Sequence, residues 1–360
     1  MKEDIRLELF SVLEVKNWLY HGLSDRGLSE KLIAKQRAYA IVNNPCVTDD
    51  LYIISALFVN NEVAAYTCIF PDKVYFYPHS ENNEAQLIYW NTTLYCSPDY
   101  EGRGYAYCVI GQFIELYGDD YFDLDAVEES VENLKFAGLT VEYVNQYILS
   151  EKIINANVLR GKLAFVADRI KYLLTNHKKQ LLRDINDSCY TLQYTNFIDD
   201  KTYAFIRKYS KTDLFLRTPD MFNWILTYSF MLGSPLLHRI ETDTAFTSNR
   251  QSFQFYAVRV IKDRELIGFY IFNDSKDCFY LNYLYYNEIY KREVFLSIAE
   301  HILSCNESKF MTADYQLFKF IEKYKLFPKS QIMKKSFSYP QQFIYDKNAF
   351  IQAGDGDNIT

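Results

Sequence analysis

A short glycine-containing segment is the part of this sequence best suited to bind an anion. Gly102-Arg103-Gly104 follows a strand predicted at Leu87–Cys96 and precedes a helix predicted from Tyr105. The first amides of a helix have no partner inside it, and the helix dipole adds partial positive charge there. Glycines also let a phosphate approach the backbone closely. The segment therefore predicts phosphate binding, while a tight strand-to-helix connection explains the same residues without a ligand.

The elements around this segment predict a mixed α/β domain. Apolar residues recur at helical spacing over residues 6–40, which predicts two helices before the first strand. Aromatic and β-branched runs then predict strands at Tyr52–Phe58, Val63–Phe70 and Lys73–Tyr77. After the helix that begins at Tyr105, the pattern predicts a strand, a helix and a strand at Tyr121–Leu124, Glu128–Phe136 and Leu139–Leu149.

This order of elements, with Ser-Pro-Asp-Tyr-Glu-Gly-Arg-Gly-Tyr-Ala at residues 97–106, resembles the GNAT superfamily of acyl-CoA N-acyltransferases. The family signature, Arg/Gln-x-x-Gly-x-Gly/Ala, is matched by residues 101–106. Gly104 and Ala106 occupy consensus positions, whereas Glu101 stands where Arg or Gln is usual. The resemblance extends over roughly residues 5–149.

The resemblance implies that acetyl-CoA is the co-substrate and that the turn holds its pyrophosphate. It also implies that the preceding strand pairs with the pantetheine arm through its backbone. We expect Arg103 to offset the negative charge of Glu101 at close range. The expected cofactor-binding residues are Leu94, Tyr95, Cys96, Gly102, Arg103, Gly104, Tyr105 and Ala106.

The second half of the chain repeats the order of elements. A hairpin is predicted at Phe253–Ile261 and Leu266–Phe272, a further strand at Cys278–Tyr286 and a helix at Glu293–Leu303. Residues 287–292, Asn-Glu-Ile-Tyr-Lys-Arg, stand in place of the glycine turn and contain no glycine. The repeat predicts an α/β fold of two GNAT-like domains in tandem, each a mixed, mostly antiparallel sheet flanked by helices. Only the N-terminal copy keeps the pyrophosphate turn.

These patterns predict four segments of the chain. They are an acetyl-CoA-binding domain at 1–150, a helical connector at 151–186, a degenerate domain at 187–345 and a C-terminal tail at 346–360. The tail sequence Gly354-Asp355-Gly356-Asp357-Asn358 lacks the ligand spacing of a calcium loop, so we expect it at the surface.

The implied reaction is transfer of an acetyl or acyl group from acetyl-CoA to a primary amine by direct attack in a ternary complex. Such a reaction needs a group that takes the ammonium proton and an acid for the leaving thiolate. Leu134 stands at the family's usual tyrosine position, so the candidate acids are Tyr143 on the last strand and Tyr105 in the turn. The candidate bases are Asp123, Asp125 and Glu128. No metal is expected.

Net charge and cysteine content limit the kinds of binding partner and the cellular compartment that we expect. The net charge is −7 and basic runs are short, which argues against nucleic acid or an anionic membrane as a partner. The 7 cysteines include no Cys-x-x-Cys pair, which favours a reducing, cytoplasmic compartment. We expect a small-molecule amine as the acceptor. The sequence leaves the oligomeric state open, a homodimer included.

Two other functions fit the same sequence. Glu101, Leu134 and the degenerate second copy are compatible with a non-catalytic ligand-binding or assembly module on a GNAT scaffold. Aminoacyl transfer from tRNA on a tandem GNAT-like fold is the third hypothesis, and the acidic composition argues against it.

Overall fold

A computed structural model describes residues 3–23, 26–79, 84–126, 128–150, 190–228, 253–275, 278–305 and 309–356. The predicted connector at 151–186 lies outside the described residues. The strands are β1 Ile5–Ser11, β2 Tyr52–Val59, β3 Glu62–Phe76, β4 Gln86–Cys96, β5 Tyr121–Leu124, β6 Leu139–Ser150, β7 Thr191–Thr195, β8 Phe215–Arg217, β9 Phe253–Lys262, β10 Glu265–Ser275, β11 Cys278–Tyr286, β12 Lys309–Thr312 and β13 Lys329–Pro340. The helices are α1 Val12–His21, α2 Lys35–Val42, α3 Tyr105–Tyr117, α4 Glu128–Phe136, α5 Asp200–Tyr209, α6 Pro219–Thr227, α7 Lys291–Cys305 and α8 Tyr315–Lys323.

The chain forms two compact units whose boundaries differ from the predicted ones. Unit 1 comprises residues 1–144, 211–253 and 334–360, and unit 2 comprises residues 145–210 and 254–333. These unit boundaries depart from the predicted ones at 150, 187 and 345, because each unit takes its closing strand from the other half of the chain. Sequential strands are usually neighbours, and that tendency predicts each closing strand within its own half of the chain.

Unit 1 contains a mixed sheet in the order β1-β2-β3-β4-β5-β13. Strands β1 to β4 are antiparallel neighbours, and β4 runs parallel to β5. The closing strand is the part of β13 from Lys334, where Phe337 and Ser338 pair with Leu124 and Asp123 of β5. Helix α3 packs on β2, β3 and β4.

Unit 2 has the same sheet order, β7-β9-β10-β11-β12-β6. Strand β11 is parallel to β12 from Cys278 to Tyr280, and β12 is antiparallel to the end of β6. Gly268 on β10 lies under α7, since a Cβ there would come within 2.6 Å of Val294 Cγ2. The predicted α/β fold of two similar mixed sheets is confirmed, with closing strands exchanged between the halves.

Three local predictions in unit 1 are wrong. Residues 5–11 form β1 and not a helix, because their alternating side chains pair along β2. Pro71 does not end a strand, and β3 continues through it to Phe76. Strand β8, which pairs with the end of β3, and helix α6 belong to unit 1, although their sequence lies in the second half of the chain.

The C-terminal segment is buried, so the predicted surface tail is also wrong. Residues 351–356 are buried in unit 1. The buried guanidinium of Arg217 lies 2.7 Å from Asp72 Oδ2 and 3.6 Å from Asp355 Oδ1, and it donates to the Gly354 carbonyl oxygen over 2.9 Å. A buried cation requires acceptors around it, and the C-terminal segment supplies them.

Candidate active site

Strands β4 and β5 of unit 1 form a fork. They are paired at Tyr89–Tyr121 and Trp90–Phe122, and no further β4–β5 pair follows among the described residues. Beyond that point β4 continues to Cys96 with β3 on its other side. The register with β3 shifts between Ile69–Asn91 and Cys68–Thr93, so Thr92 is an extra, bulged residue at the root of the fork. The β5 side of β4 is therefore open from this level to the end of the strand.

The glycine turn follows directly on the open arm of β4. Gly102 and Gly104 have φ of 76° and 78°, a region that favours glycine. A Cβ at either position would meet no atom within 4 Å, so neither glycine is needed for packing. Within the described residues, no backbone carbonyl accepts a hydrogen bond from the amides of Gly102, Gly104 or Tyr105. The first turn of α3 is thus open to an anion.

The charged residues of the turn differ from the expectation. Arg103 donates to Glu3 Oε1 over 2.9 Å and lies 5.2 Å from the centre of the Tyr100 ring. Its charge is directed at Glu3, and it forms no ion pair with Glu101, which is exposed. The expectation that Arg103 offsets Glu101 through a direct ion pair is therefore wrong.

The end of the open arm is half-buried. Leu94 and Cys96 pack beside the buried Val109 of α3, and the Tyr95 ring stacks on Tyr66 at 5.2 Å between centroids. Burial raises the pKa of the Cys96 thiol, reinforced by Glu101, while a hydrogen bond from the Ala106 amide opposes the shift. One of the expected phosphate-binding amides, that of Ala106, thus already has a partner.

A row of polar side chains crosses the sheet at the root of the fork. The Thr67 hydroxyl lies 2.6 Å from Asn91 Oδ1, and Asn91 Nδ2 donates to Asp123 Oδ2 over 2.6 Å. Ser338 pairs with Asp123 on the next strand, and Ser55 pairs with Thr67 on the strand before. All five side chains are buried. Sequence reasoning missed Asn91 and Ser338, although a polar residue within an aromatic strand was a signal for Asn91.

Asp123 is the titratable group of this row. Burial raises its pKa to about 6 and Asp125 adds to the rise, while hydrogen bonds from the Asn91 side chain and the Ala126 amide oppose it. Its Oδ1 atom is buried and accepts no hydrogen bond of ordinary geometry from a described residue. Such an atom usually indicates a missing partner.

The predicted catalytic residues do not form a cluster. Asp125 has a left-handed backbone after the end of β5, is 43% exposed and pairs with Lys335 over 2.6 Å. It therefore does not share a strand face with Asp123, as the sequence suggested. Glu128 is exposed, and Tyr143 is 56% exposed. Among the described residues, no hydrogen bond or ion pair joins any two of Asp125, Glu128 and Tyr143.

Unit 2 also has a fork, but the turn after it and the residues at its root differ from those of unit 1. Its last parallel pair is Tyr280–Met311, and the shift between Ile271–Tyr283 and Phe272–Leu281 makes Asn282 the bulged residue. No residue at 287–291 has positive φ, and the Asn287 side chain caps the amide of Ile289. The positions that correspond to Asn91 and Asp123 hold Leu281 and Thr312.

Two features are absent from the part of the chain that the structure describes. No group of three or more His, Cys, Asp or Glu side chains there could hold a metal ion. No helix there is long and apolar enough to cross a lipid bilayer.

Comparisons with known proteins identify no relative by sequence. No family model matches the chain, and no curated protein matches it. Among solved structures, a GCN5-related N-acetyltransferase from Kribbella flavida has a TM-score of 0.49 at 10% identity, over 93% of this chain and 71% of its own. One from Anabaena variabilis has a TM-score of 0.48 at 10% identity, over 92% and 72%. Saccharomyces cerevisiae N-myristoyltransferase with bound myristoyl-CoA has a TM-score of 0.49 at 10% identity, over 96% and 89%.

Proposed function

We propose that unit 1 binds acetyl-CoA and transfers its acetyl group to the primary amine of a small molecule. The observation that carries this proposal is the separation of β4 from β5 after Trp90 and Phe122, with the open arm leading directly into the glycine turn. An extended chain with amide groups can pair with the open arm as an added strand, as peptides do at sheet edges. A pyrophosphate suits the open amides at the start of α3.

The bulge supports transfer as well as binding. Thr92 lies at the root of the fork, where the acyl end of a ligand would lie if its phosphates occupied the turn. A backbone amide there can polarise the thioester carbonyl and stabilise the charge that develops on its oxygen. Direct attack by an amine in a ternary complex then requires proximity, orientation and a group that takes a proton.

A specific observation also favours a second candidate, a non-catalytic ligand-binding module. Leu134, at the position where the resemblance implies an acid, is fully buried in α4. The usual acid is therefore replaced by a packing residue. Binding of acetyl-CoA without thiol release in the presence of any amine would favour this candidate.

Calorimetric titration with acetyl-CoA, comparing Gly104→Ala with Gly22→Ala, tests the proposal. Both glycines have left-handed φ, 78° and 68°, and neither has an atom within 4 Å of an added Cβ. Each substitution should cost about 1 kcal/mol of folding free energy. Gly22 caps α1 away from the turn, so only Gly104→Ala should weaken acetyl-CoA binding, by about tenfold or more because a methyl group would stand where the phosphate approaches. Equal affinity in the two variants, or no binding by the wild type at millimolar acetyl-CoA, would contradict the proposal.

A further inference from the structure

The two units share a sheet order, a fork and a bulge, but they differ in the side chains at the fork root. Unit 1 has Asn91 and Asp123 where unit 2 has Leu281 and Thr312, and Ser338 where unit 2 has Tyr147. The Tyr147 ring stacks on Phe318, which makes that position part of the apolar core. The fold therefore does not require a carboxylate here. The carboxylate and the glycine turn occur together, in the same unit.

A hydrogen bond of the row points toward Asp123. The Asn91 amide donates to Asp123 Oδ2, and this bond favours negative charge on the carboxylate. The single proton of the Thr67 hydroxyl can go to Asn91 Oδ1 or to the Thr93 carbonyl oxygen, each 2.6 Å away. Ser338 stands opposite Asp123 on β13 with a buried hydroxyl that has no hydrogen-bond partner among the described residues. Asp123 Oδ1 likewise accepts no hydrogen bond of ordinary geometry from a described residue, although the Ala126 amide interacts with the carboxylate and lowers its pKa.

We propose that Asp123 is the group that takes the proton of the attacking amine. This inference rests on the proposed acetyl transfer. A buried, unpartnered carboxylate oxygen is costly unless a ligand or substrate supplies the missing donor. The open side of β4 begins at the level of the Asn91–Asp123 bond, so Asp123 lies at the root of the fork.

The proton balance of the step is simple. The amine nitrogen forms a bond to the thioester carbonyl carbon, and the carbon–sulfur bond breaks. The proton lost by nitrogen goes to Asp123, which later returns it to water, while the departing thiolate takes one proton from water. A carboxylate whose pKa is about 6 is ionised at neutral pH and is a stronger base than an ordinary aspartate.

Few titratable groups surround Asp123. Asp125, two residues along, raises its pKa and is itself paired with Lys335. Tyr121 interacts with it electrostatically, and burial keeps the pKa of that phenol well above its usual range. Asn91 of β4 and Ser338 of β13 contribute neutral polar groups. A titration near pH 6 at this site is therefore assigned to Asp123.

The test compares wild type, Asp123→Asn and two controls. Glu115→Gln removes an exposed carboxylate of α3, and Ser336→Ala removes a hydroxyl that donates to the Ala126 carbonyl oxygen. The first readout is the number of protons taken up on binding acetyl-CoA, from calorimetry in buffers of different ionisation enthalpy. The second is thiol release from acetyl-CoA with spermidine, glucosamine and phenylethylamine as acceptor probes.

We expect the wild type and both controls to take up protons on binding, most strongly just above pH 6, because the acyl end displaces water from Asp123. Asp123→Asn should bind acetyl-CoA within about twofold of wild type, take up no protons and lose about 100-fold or more in thiol release.

Proton uptake that persists in Asp123→Asn, or an unchanged acid limb in that variant, would overturn the inference. The proposed function fails by a different result, namely no binding of acetyl-CoA by wild type. If no probe amine is acetylated, the proton uptake alone tests the role of Asp123, because that measurement needs acetyl-CoA but no acceptor amine.

Discussion

Asn91 and Asp123 are joined by a 2.6 Å hydrogen bond between their side chains at the level where β4 and β5 stop pairing through their backbones. The last backbone pair, Trp90–Phe122, lies one residue before them. Side chains thus hold the two strands together at the root of the fork. A buried hydrogen bond to a carboxylate contributes more than one between neutral groups.

The ionised Asp123 should make unit 1 less stable at neutral pH than a neutral residue would. Its folded pKa of about 6 exceeds the ordinary value of 3.8, so the folded protein binds more protons than the unfolded chain between these values. Stability is therefore highest below the lower value and is lost as pH rises through about 6. Asp123→Asn should be more stable than wild type at pH 8 by up to about 3 kcal/mol and similar to it near pH 4.

Tryptophan fluorescence in urea provides the measurement for unit 1. All 3 tryptophans of the chain, Trp18, Trp90 and Trp224, belong to that unit. Glu115→Gln, which removes an exposed carboxylate of α3, serves as the control and should show no such pH dependence. A stability gain in Asp123→Asn that is the same at pH 4 and pH 8 would contradict the assignment of the shift to Asp123.

Replacing Arg217 should unfold the core of unit 1. Arg217→Met leaves the buried carboxylates of Asp72 and Asp355 without their cation, which should cost about 3–5 kcal/mol. Adding Asp355→Asn removes one of the stranded charges and should recover part of the loss. Trp90 donates to Asp72 Oδ2 over 2.9 Å, so its fluorescence reports this cluster directly. Equal stability of wild type and Arg217→Met would refute a structural role for the cluster.

A methyl group at Gly356 should displace the C-terminal segment from β5. A Cβ there would come within 2.6 Å of Leu124 Cβ, and the residue has φ of 68°. Gly22→Ala has the same φ with no atom within 4 Å, so it isolates the backbone cost of about 1 kcal/mol. Gly356→Ala should lose more stability than that. Leu124→Ala should restore part of it in a double-mutant cycle, and purely additive losses would count against the contact.

His301 should remain neutral in folded unit 2 well below its usual range. Burial lowers its pKa to about 4, and its ring nitrogens lie 2.7 Å from the Tyr194 hydroxyl and 2.8 Å from the Tyr270 hydroxyl. The unfolded chain therefore binds more protons between pH 4 and 6.5, and stability falls as pH decreases through this window. The loss should reach at most about 3 kcal/mol.

The imidazole signals in an NMR titration provide the measurement for His301. We expect no change in its carbon shifts between pH 5.5 and 8. His301→Gln should remove the acid-side loss of stability while it retains hydrogen-bonding groups. A midpoint near 6.5 for His301 in the folded protein would show that burial and the two phenols do not hold it neutral.

Local patterns in the sequence were sufficient to predict much of unit 1. The aromatic strand before Pro98, the glycines at 102 and 104 and the helical spacing after Tyr105 depend on neighbouring residues, and the structure has each of them. The absence of glycine at 287–292 likewise predicted a second unit without the turn. Such features can be predicted from the sequence because backbone conformation and side-chain periodicity depend on residues only a few positions apart.

Contacts between distant parts of the chain were decided only by the tertiary structure. Asp123 and Ser338 are more than two hundred positions apart, and nothing local to either residue indicates that their strands pair. The same holds for Arg217, which binds both Asp72 and the C-terminal segment. Strand exchange and buried ion clusters depend on which surfaces must be covered in three dimensions. The sequence alone therefore indicated an anion-binding turn, and the tertiary structure decided which carboxylate lies at the root of the fork.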